Sequence, residues 1–303
     1  MNAPRVSVVT IFLNAEAYLR EAIESVLAQD FAEFELILVD DGSSDASSTI
    51  AQDYACRSPH QCFYVEHPDH SNKGMSASRN LGISVARGNY VAFLDADDVW
   101  TPTKLREQVQ ILDSHPEVGM VAGAAQYWRS WQSGIDEVVR AGHRLDCVVP
   151  PRSASIHVYP LGKAQAPCPS VLMLRRDLIE RVGGFEASYT GALQMYEDQA
   201  FLSKVYLETH VWFSSRCWLR YRQHPESCVA ENIRLGNYDR IRRHFLEWFQ
   251  NYLVERGVTD PAISGALAHT LGPDQQTLLA AMRSSAGLTI RRLRRIPGRL
   301  LRG

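Results

Sequence analysis

Tyr90–Trp100 reads YVAFLDADDVW: a mostly apolar run, three carboxylates within four positions, then Val-Trp. The apolar run predicts a strand over Tyr90–Leu94, because strands covered on both faces read as continuous apolar stretches. Carboxylates crowded at its end raise one another's pKa unless a cation neutralises them. Oxygen ligands select a hard divalent ion, which takes one or two carboxylates and completes its shell with water and phosphate oxygens. A DxD at a strand end therefore points to Mn2+ or Mg2+ bracketing a phosphate. The start of the next helix accounts for Asp98 alone and leaves Asp95 and Asp97.

Working towards the N-terminus, Glu35–Val39 (ELILV) is a second apolar run that ends in carboxylates, Asp40-Asp41-Gly42-Ser43. Val6–Leu13 and Cys62–Val65 predict two more strands. Helices are expected between them over Glu16–Gln29, capped by Asn14, over Ser44–Tyr54, and over Ser76–Ala86, closed by Gly88. Strands alternating with helices at this spacing predict an α/β domain with a mainly parallel sheet. In such sheets ligands bind beyond the carboxyl ends of the strands, so both acidic clusters fall on one edge.

Towards the C-terminus, Thr101 and Pro102 open a helix that His115-Pro116 stops. The pattern weakens from Gly119 to Gln165, which suits a variable, loop-rich region. Ser170–Leu174 and Trp218–Arg222 read as strands. Between them a short helix ends at Gly183-Gly184 and another begins near Asp198. Tyr238, Ile241, Phe245, Trp248, Phe249 and Tyr252 lie on one face of a long helix that docks on a core. The expected division is an α/β domain over 1–229 and a helical extension over 230–303.

Composition bounds the function. A chain of 303 residues, 45% hydrophobic and 22% charged with net charge −2, lacks the basic excess of a nucleic-acid binder. Six cysteines without CxxC spacing favour reduced thiols over a disulfide framework or a zinc site. The first residues, MNAPRVSVVTIF, lack a cleavage site and meet Asn14 early, and no apolar run reaches 18 residues, so a cytoplasmic location is expected. From Arg283 to Gly303 seven arginines alternate with leucine and isoleucine and no acidic residue intervenes. That tail reads as a solvated terminus or as an interfacial anchor on the anionic inner face of the cytoplasmic membrane. Pro297-Gly298 argue against one continuous helix there.

VAFLDADDV also fits the string of haloacid-dehalogenase-like phosphatases, in which the first aspartate is a nucleophile. Those enzymes carry the DxD on their first strand, whereas here the DD after LILV comes first. Six segments in order carry a different resemblance: VSVVTIFLNAEAYLREAIESVLAQDF, ELILVDDGSSD, NKGMSASRNLGISVARGNYVAFLDADD, PSVLMLRRDLIERVGGFE, YEDQAFLSKV and YRQHPES. Together they resemble the inverting nucleotide-sugar glycosyltransferases of family 2, with the GT-A fold, over roughly Val6 to Ser227. Ile11-Phe12 replace the family's usual proline and tyrosine near the first strand.

The resemblance implies a UDP- or dTDP-sugar donor, a glycan or lipid-linked acceptor, and a role in bacterial surface glycan assembly. It implies that Thr10, Phe12 and Asn14 border the nucleobase, that Asp40 accepts a hydrogen bond from it, and that Asp41 supports the loop. Arg79 would reach the base or diphosphate, Asp95 the ribose or a metal-bound water, and Asp97 the metal, with His224 close by. Asp198 would be the general base, with Glu197 beside it to hold acceptor hydroxyls. A nucleotide-sugar-binding module without turnover is the reading outside catalysis.

Overall fold

A computed structural model describes residues 3–272. The arginine-rich segment from Arg283, and with it the expected lipid contact, lies outside the described residues. The chain divides into two compact units, one ending at Phe249 and one beginning at Gln250.

The first unit opens with β1 (Val6–Phe12), α1 (Leu19–Leu27), β2 (Phe34–Asp40), α2 (Ser47–Arg57), β3 (Cys62–Glu66), α3 (Met75–Val85) and β4 (Tyr90–Asp95). Then come β5 (Val99–Trp100), α4 (Lys104–Ser114), β6 (Val118–Trp128), β7 (Glu137–Val139), β8 (Val148–Val149) and α5 (Ser153–His157). It continues with β9 (Leu172–Arg175), α6 (Arg176–Val182), α7 (Glu197–Glu208), β10 (His210–Arg222) and α8 (Cys228–Arg234). α9 covers Tyr238–Glu255. In the second unit, α10 (Pro261–Leu271) is capped by Asp260, whose carboxylate accepts from the amides of Ala262 and Ile263.

The sheet runs β3-β2-β1-β4-β9-β6-β10-β5, with β7 on β6 and β8 on β10. β1 to β4 are mutually parallel where they pair, and β9 enters antiparallel between β4 and β6. The chain winds outward from β1 to β3 and then crosses to β4 on the other side of β1. That reversal opens a crevice beyond the carboxyl ends of β1 and β4. Register aligns Phe12 with Asp40 and Ile11 with Asp95, so both acidic clusters reach that edge together. The mixed, mainly parallel sheet flanked by helices is the expected architecture.

Several local expectations are corrected. The stretch read as loop-rich contains β6, an eleven-residue strand that is almost wholly buried. Its sequence, VGMVAGAAQYW, is rich in Gly and Ala because neighbours crowd it. A Cβ at Gly119 would stand 2.4 Å from Thr209 Oγ1, and one at Gly123 would stand 2.3 Å from the Trp218 ring. Strand propensity is thus traded for close packing, and the β-branched signal disappears. Asn14 does not cap α1; it adopts φ 49° and its Oδ1 accepts from the Ser44 amide at 2.7 Å, tying β1 to the loop after β2. Thr101 does not cap α4, which starts after Thr103 without a side-chain cap.

Candidate active site

A cavity of about 720 Å³ occupies the crevice. Of the expected residues, Phe12, Asn14, Asp41, Arg79, Asp95, Asp97, Glu197, Asp198 and His224 line it. Thr10 and Asp40 do not, being buried in the sheet at 1% and 0% exposure.

Asp40, expected at the nucleobase, and Asp41, expected to support the loop, stand at the end of β2 and both accept from backbone amides. Asp40 turns inward: one oxygen accepts from the amides of Gly42 and Ser43, the other from Ser48 Oγ and the Tyr64 hydroxyl. With both oxygens used, it shapes the loop. Asp41 faces the cavity and accepts from the amides of Lys73 and Gly74 at 2.7–3.1 Å. Its position pins the start of α3, where Gln194 Oε1 also accepts from the Met75 amide at 2.7 Å.

α3 carries Arg79 under the cavity floor. Its side chain is 3% exposed; one Nη donates to Asp95 Oδ1 at 2.5 Å and the other to Glu197 Oε1. Arg79 is therefore committed to two carboxylates and braces the end of β4 against the start of α7. Burial opposes its charge, but Glu197 and Asp95 outweigh it and hold the guanidinium cationic. One guanidinium cannot neutralise Asp95, Glu197 and Asp198 together. Burial, with the neighbouring carboxylates adding to it, pushes Glu197 up to about 8 despite Arg79. Burial likewise pushes Asp198 up to about 6 against the hydrogen bond from the Gln199 amide.

The DADD segment divides its three carboxylates by environment. Asp95 is held by Arg79, and its amide donates to Ser170 Oγ at 3.0 Å. Asp97 Oδ2 lies 2.9 Å from His224 Nε2, while His224 Nδ1 is buried without a partner among the described residues. Asp98, expected to begin a helix, is 0% exposed, and its Oδ1 accepts from the Arg222 amide at 3.0 Å. Burial, helped by the charges of Asp97 and Asp95, pushes its carboxyl well up, towards the neutral acid.

Arg222 escaped the sequence reading. Its Nε donates to the Asp97 carbonyl at 2.8 Å, another guanidinium nitrogen donates to Glu21, and the planar group stacks over Trp128, Trp131 and Tyr18 at 4.4–5.0 Å. It fixes the DxD turn from β10. The available signal was its position two residues before His224, at the end of an expected strand. Cys168, Tyr221 and Met195 also line the cavity without having been singled out.

Asp97 and His224 suit a divalent ion: one carboxylate and one imidazole accept Mn2+, and an open shell is left for water and diphosphate oxygens. Asp40, Glu66 and His70 also bring one ligand atom each within 4.8 Å of one another. They are already joined by hydrogen bonds: His70 donates to Glu66 and to the Ser43 carbonyl, and Tyr64 bridges Glu66 and Asp40.

A mixed sheet with acidic strand ends over such a crevice is the architecture of nucleotide-sugar glycosyltransferases, and comparison with known proteins agrees. Residues 7–183 match Glycosyl transferase family 2, and the chain belongs to that family. An uncharacterized glycosyltransferase of Rickettsia prowazekii (strain Madrid E) is 29% identical over 71% of this chain and 64% of its own length. The putative glycosyltransferase EpsE of Bacillus subtilis (strain 168) is 39% identical over 38% of this chain and 40% of its own length. The chain thus spans less than two thirds of these relatives. Among solved structures, S. aureus TarS 1-349 in complex with UDP aligns with TM-score 0.57 at 23% identity, covering 80% of this chain and 65% of that one. The mannosyltransferase PcManGT from Pyrobaculum calidifontis, in complex with GDP-Man and Mn2+, aligns with TM-score 0.59 at 19% identity, covering 94% and 81%. At these identities the structures establish the fold. Among the described residues no helix is long and apolar enough to cross a membrane.

Proposed function

We propose that residues 1–229 form a GT-A domain, extended by the helices of 230–303, that transfers a sugar from a UDP- or dTDP-sugar to an acceptor hydroxyl with inversion. The setting would be bacterial surface glycan assembly at the inner face of the cytoplasmic membrane. The observation that carries the reading is the convergence of the Asp97–His224 pair and the Asp198 carboxylate on one cavity. In this scheme Phe12 and Asn14 border the base and Asp41, rather than Asp40, hydrogen-bonds to it.

Asp198 takes the proton of the acceptor hydroxyl as its oxygen attacks the anomeric carbon. The bond from that carbon to the diphosphate oxygen breaks, and the nucleoside diphosphate leaves with the electron pair. A base pushed up to about 6 is ionised at neutral pH and strong enough to accept that proton. Asp97 and His224, with Asp95 next to them, would hold Mn2+ or Mg2+, and the bound ion stabilises negative charge on the departing diphosphate. Arg79 and Glu197 keep Asp95 and the start of α7 in place. In the phosphatase alternative Asp95 would be the nucleophile, whereas its Oδ1 accepts from Arg79, an arrangement that suits a positioning role.

Thermal unfolding with UDP-, dTDP- and GDP-sugars, each with and without Mn2+, tests the proposal. One nucleotide class at about 100 times its Kd should stabilise the fold by about 2.7 kcal/mol in the presence of Mn2+. Asp97→Ala should abolish that shift. A shift unchanged in Asp97→Ala, or none with any nucleotide sugar, would overturn the reading.

A further inference from the structure

Large apolar side chains on a protein surface are ordinary when scattered and informative when gathered. Nine are exposed among the described residues, and seven of them gather at one place. Leu13, Val229 and Leu235 line the crevice at the acidic edge. Ile233 and Tyr238 line a second cavity, which shares Asp198 with the crevice. Ile135 and Val138 belong to the hairpin of β6 and β7, whose Gly134 and Val139 also line the second cavity. The common mouth is therefore rimmed by aliphatic side chains from three segments: the end of β1, the β6–β7 hairpin, and α8 with the turn after it. Val85, on α3, and Val254, in the second unit, are the other two.

The rim is most exposed at Ile135, at 88%, and at Ile233 and Leu235, at 57% each. Its composition says what would cover it. Protein partners anchor on Trp, Tyr and Arg within a continuous face, and Leu and Val are under-represented at such anchors. Here one tyrosine accompanies six aliphatic side chains, and they surround an opening. A bilayer needs no continuous face, because its headgroups and upper acyl chains close around each inserted side chain. The charges on the rim do not oppose this. Asp136 is turned inward onto the amides of Arg129 and Ser130, and Glu137 stands 3.9 Å from Arg129. Arg140, Arg234 and Arg243 are exposed without a carboxylate partner among the described residues, and they offset the exposed Glu226, Glu231 and Asp239.

From this we propose that the mouth of the crevice docks on a lipid bilayer, with Ile135, Ile233 and Leu235 entering the headgroup layer. The docking deepens the transferase reading and rests on it for its purpose: an acceptor carried on lipid would reach the crevice without leaving that surface. The contact itself can be tested without any transfer.

Hydrogen exchange followed by mass spectrometry is the direct probe, on the full chain with and without phosphatidylcholine vesicles containing phosphatidylglycerol. It is run at low salt and at about 0.5 M NaCl, because the arginines from Arg283 onward would attract anionic headgroups by charge, which such salt largely screens. Amides in 133–138 and 229–238 should exchange about fivefold more slowly on vesicles at both salt concentrations, and those around Val85 should not change. In Ile135→Glu/Ile233→Glu the vesicle partition coefficient at high salt should fall by about tenfold or more. The thermal midpoint should stay that of the parent, since both positions are exposed. An unprotected rim, protection lost at high salt, or a partition coefficient unaltered in the double variant would each overturn the proposal. So would a dimer of the parent, seen by light scattering and lost in the variant, because a second copy would then cover the rim. Docking through the rim without nucleotide-sugar binding would keep the surface and refute the transferase reading.

Discussion

Two cavities meet at Asp198, the crevice at the acidic edge and one of about 780 Å³ lined by Tyr127, Tyr196 and Tyr221, and they are built from halves of the sheet with opposite habits. β1, β2 and β4 are made mostly of large apolar residues, and β2 and β4 end in the carboxylates of Asp40 and Asp95. β6 and β10 meet through glycine and alanine, with Trp218, 1% exposed, set against Gly123. The first half holds charge at an edge, and the second shapes an uncharged wall. One side of the proposed reaction centre is therefore electrostatic and the other steric.

The sharpest way to break that comparison is to remove the charge balance of the first half. Arg79→Ala would leave Glu197 buried beside Asp95 and Asp198 without a cation, at a cost of about 3–5 kcal/mol. The loss should depend on pH. Glu197 and Asp198 are already pushed up to about 8 and about 6, and without Arg79 they rise further. A raised carboxyl is penalised only when ionised, so the destabilisation should be small near pH 5 and grow as pH climbs through 8. Denaturant unfolding of both proteins at several pH values measures it; a pH-independent difference would contradict the account.

Glycine substitutions sharpen the steric side. Gly123→Ala forces a methyl group against the enclosed Trp218 ring and should cost about 3 kcal/mol, the upper part of the range for overpacking. Gly82→Ala, on α3, meets Val9 Cγ1 at 2.4 Å, but alanine is favoured over glycine inside a helix by about 1 kcal/mol, and a smaller net loss of about 1–2 kcal/mol is expected. Thermal unfolding of the two variants should rank them in that order. Equal losses would erase the distinction between the halves.

The same distinction decides what was legible in the sequence. VSVVTIF, ELILV and YVAFL announce strands because burial on both faces demands continuous apolar residues. Their order and spacing alone place both acidic clusters on one edge of the sheet. VGMVAGAAQYW hid β6, since the residues that let Trp218 and Thr209 approach are those that carry no strand signal. Roles within the acidic pairs were equally hidden. Whether Asp40 or Asp41 faces the cavity depends on which carboxylate the Gly42-Ser43 turn captures, a matter of backbone direction that spacing does not encode. Asp98 looked like a helix start because its true partner, the Arg222 amide, lies 124 positions away. The tyrosines of the second cavity come from β6, β10 and the turn before α7, and no sequence motif joins them.

The central claim is that Asp198 serves the chemical step while the first cavity serves binding. Asp198→Asn separates these most directly, with donor affinity measured by calorimetry in Mn2+ and transfer measured across pH on one preparation. The prediction is a donor Kd within about twofold of the parent and transfer slower by about 10²–10⁴. In the parent the rate should rise with pH through about 6, as Asp198 loses its proton, and that limb should be missing from the variant. Transfer within tenfold of the parent, or a limb near pH 6 that survives the substitution, would contradict the assignment.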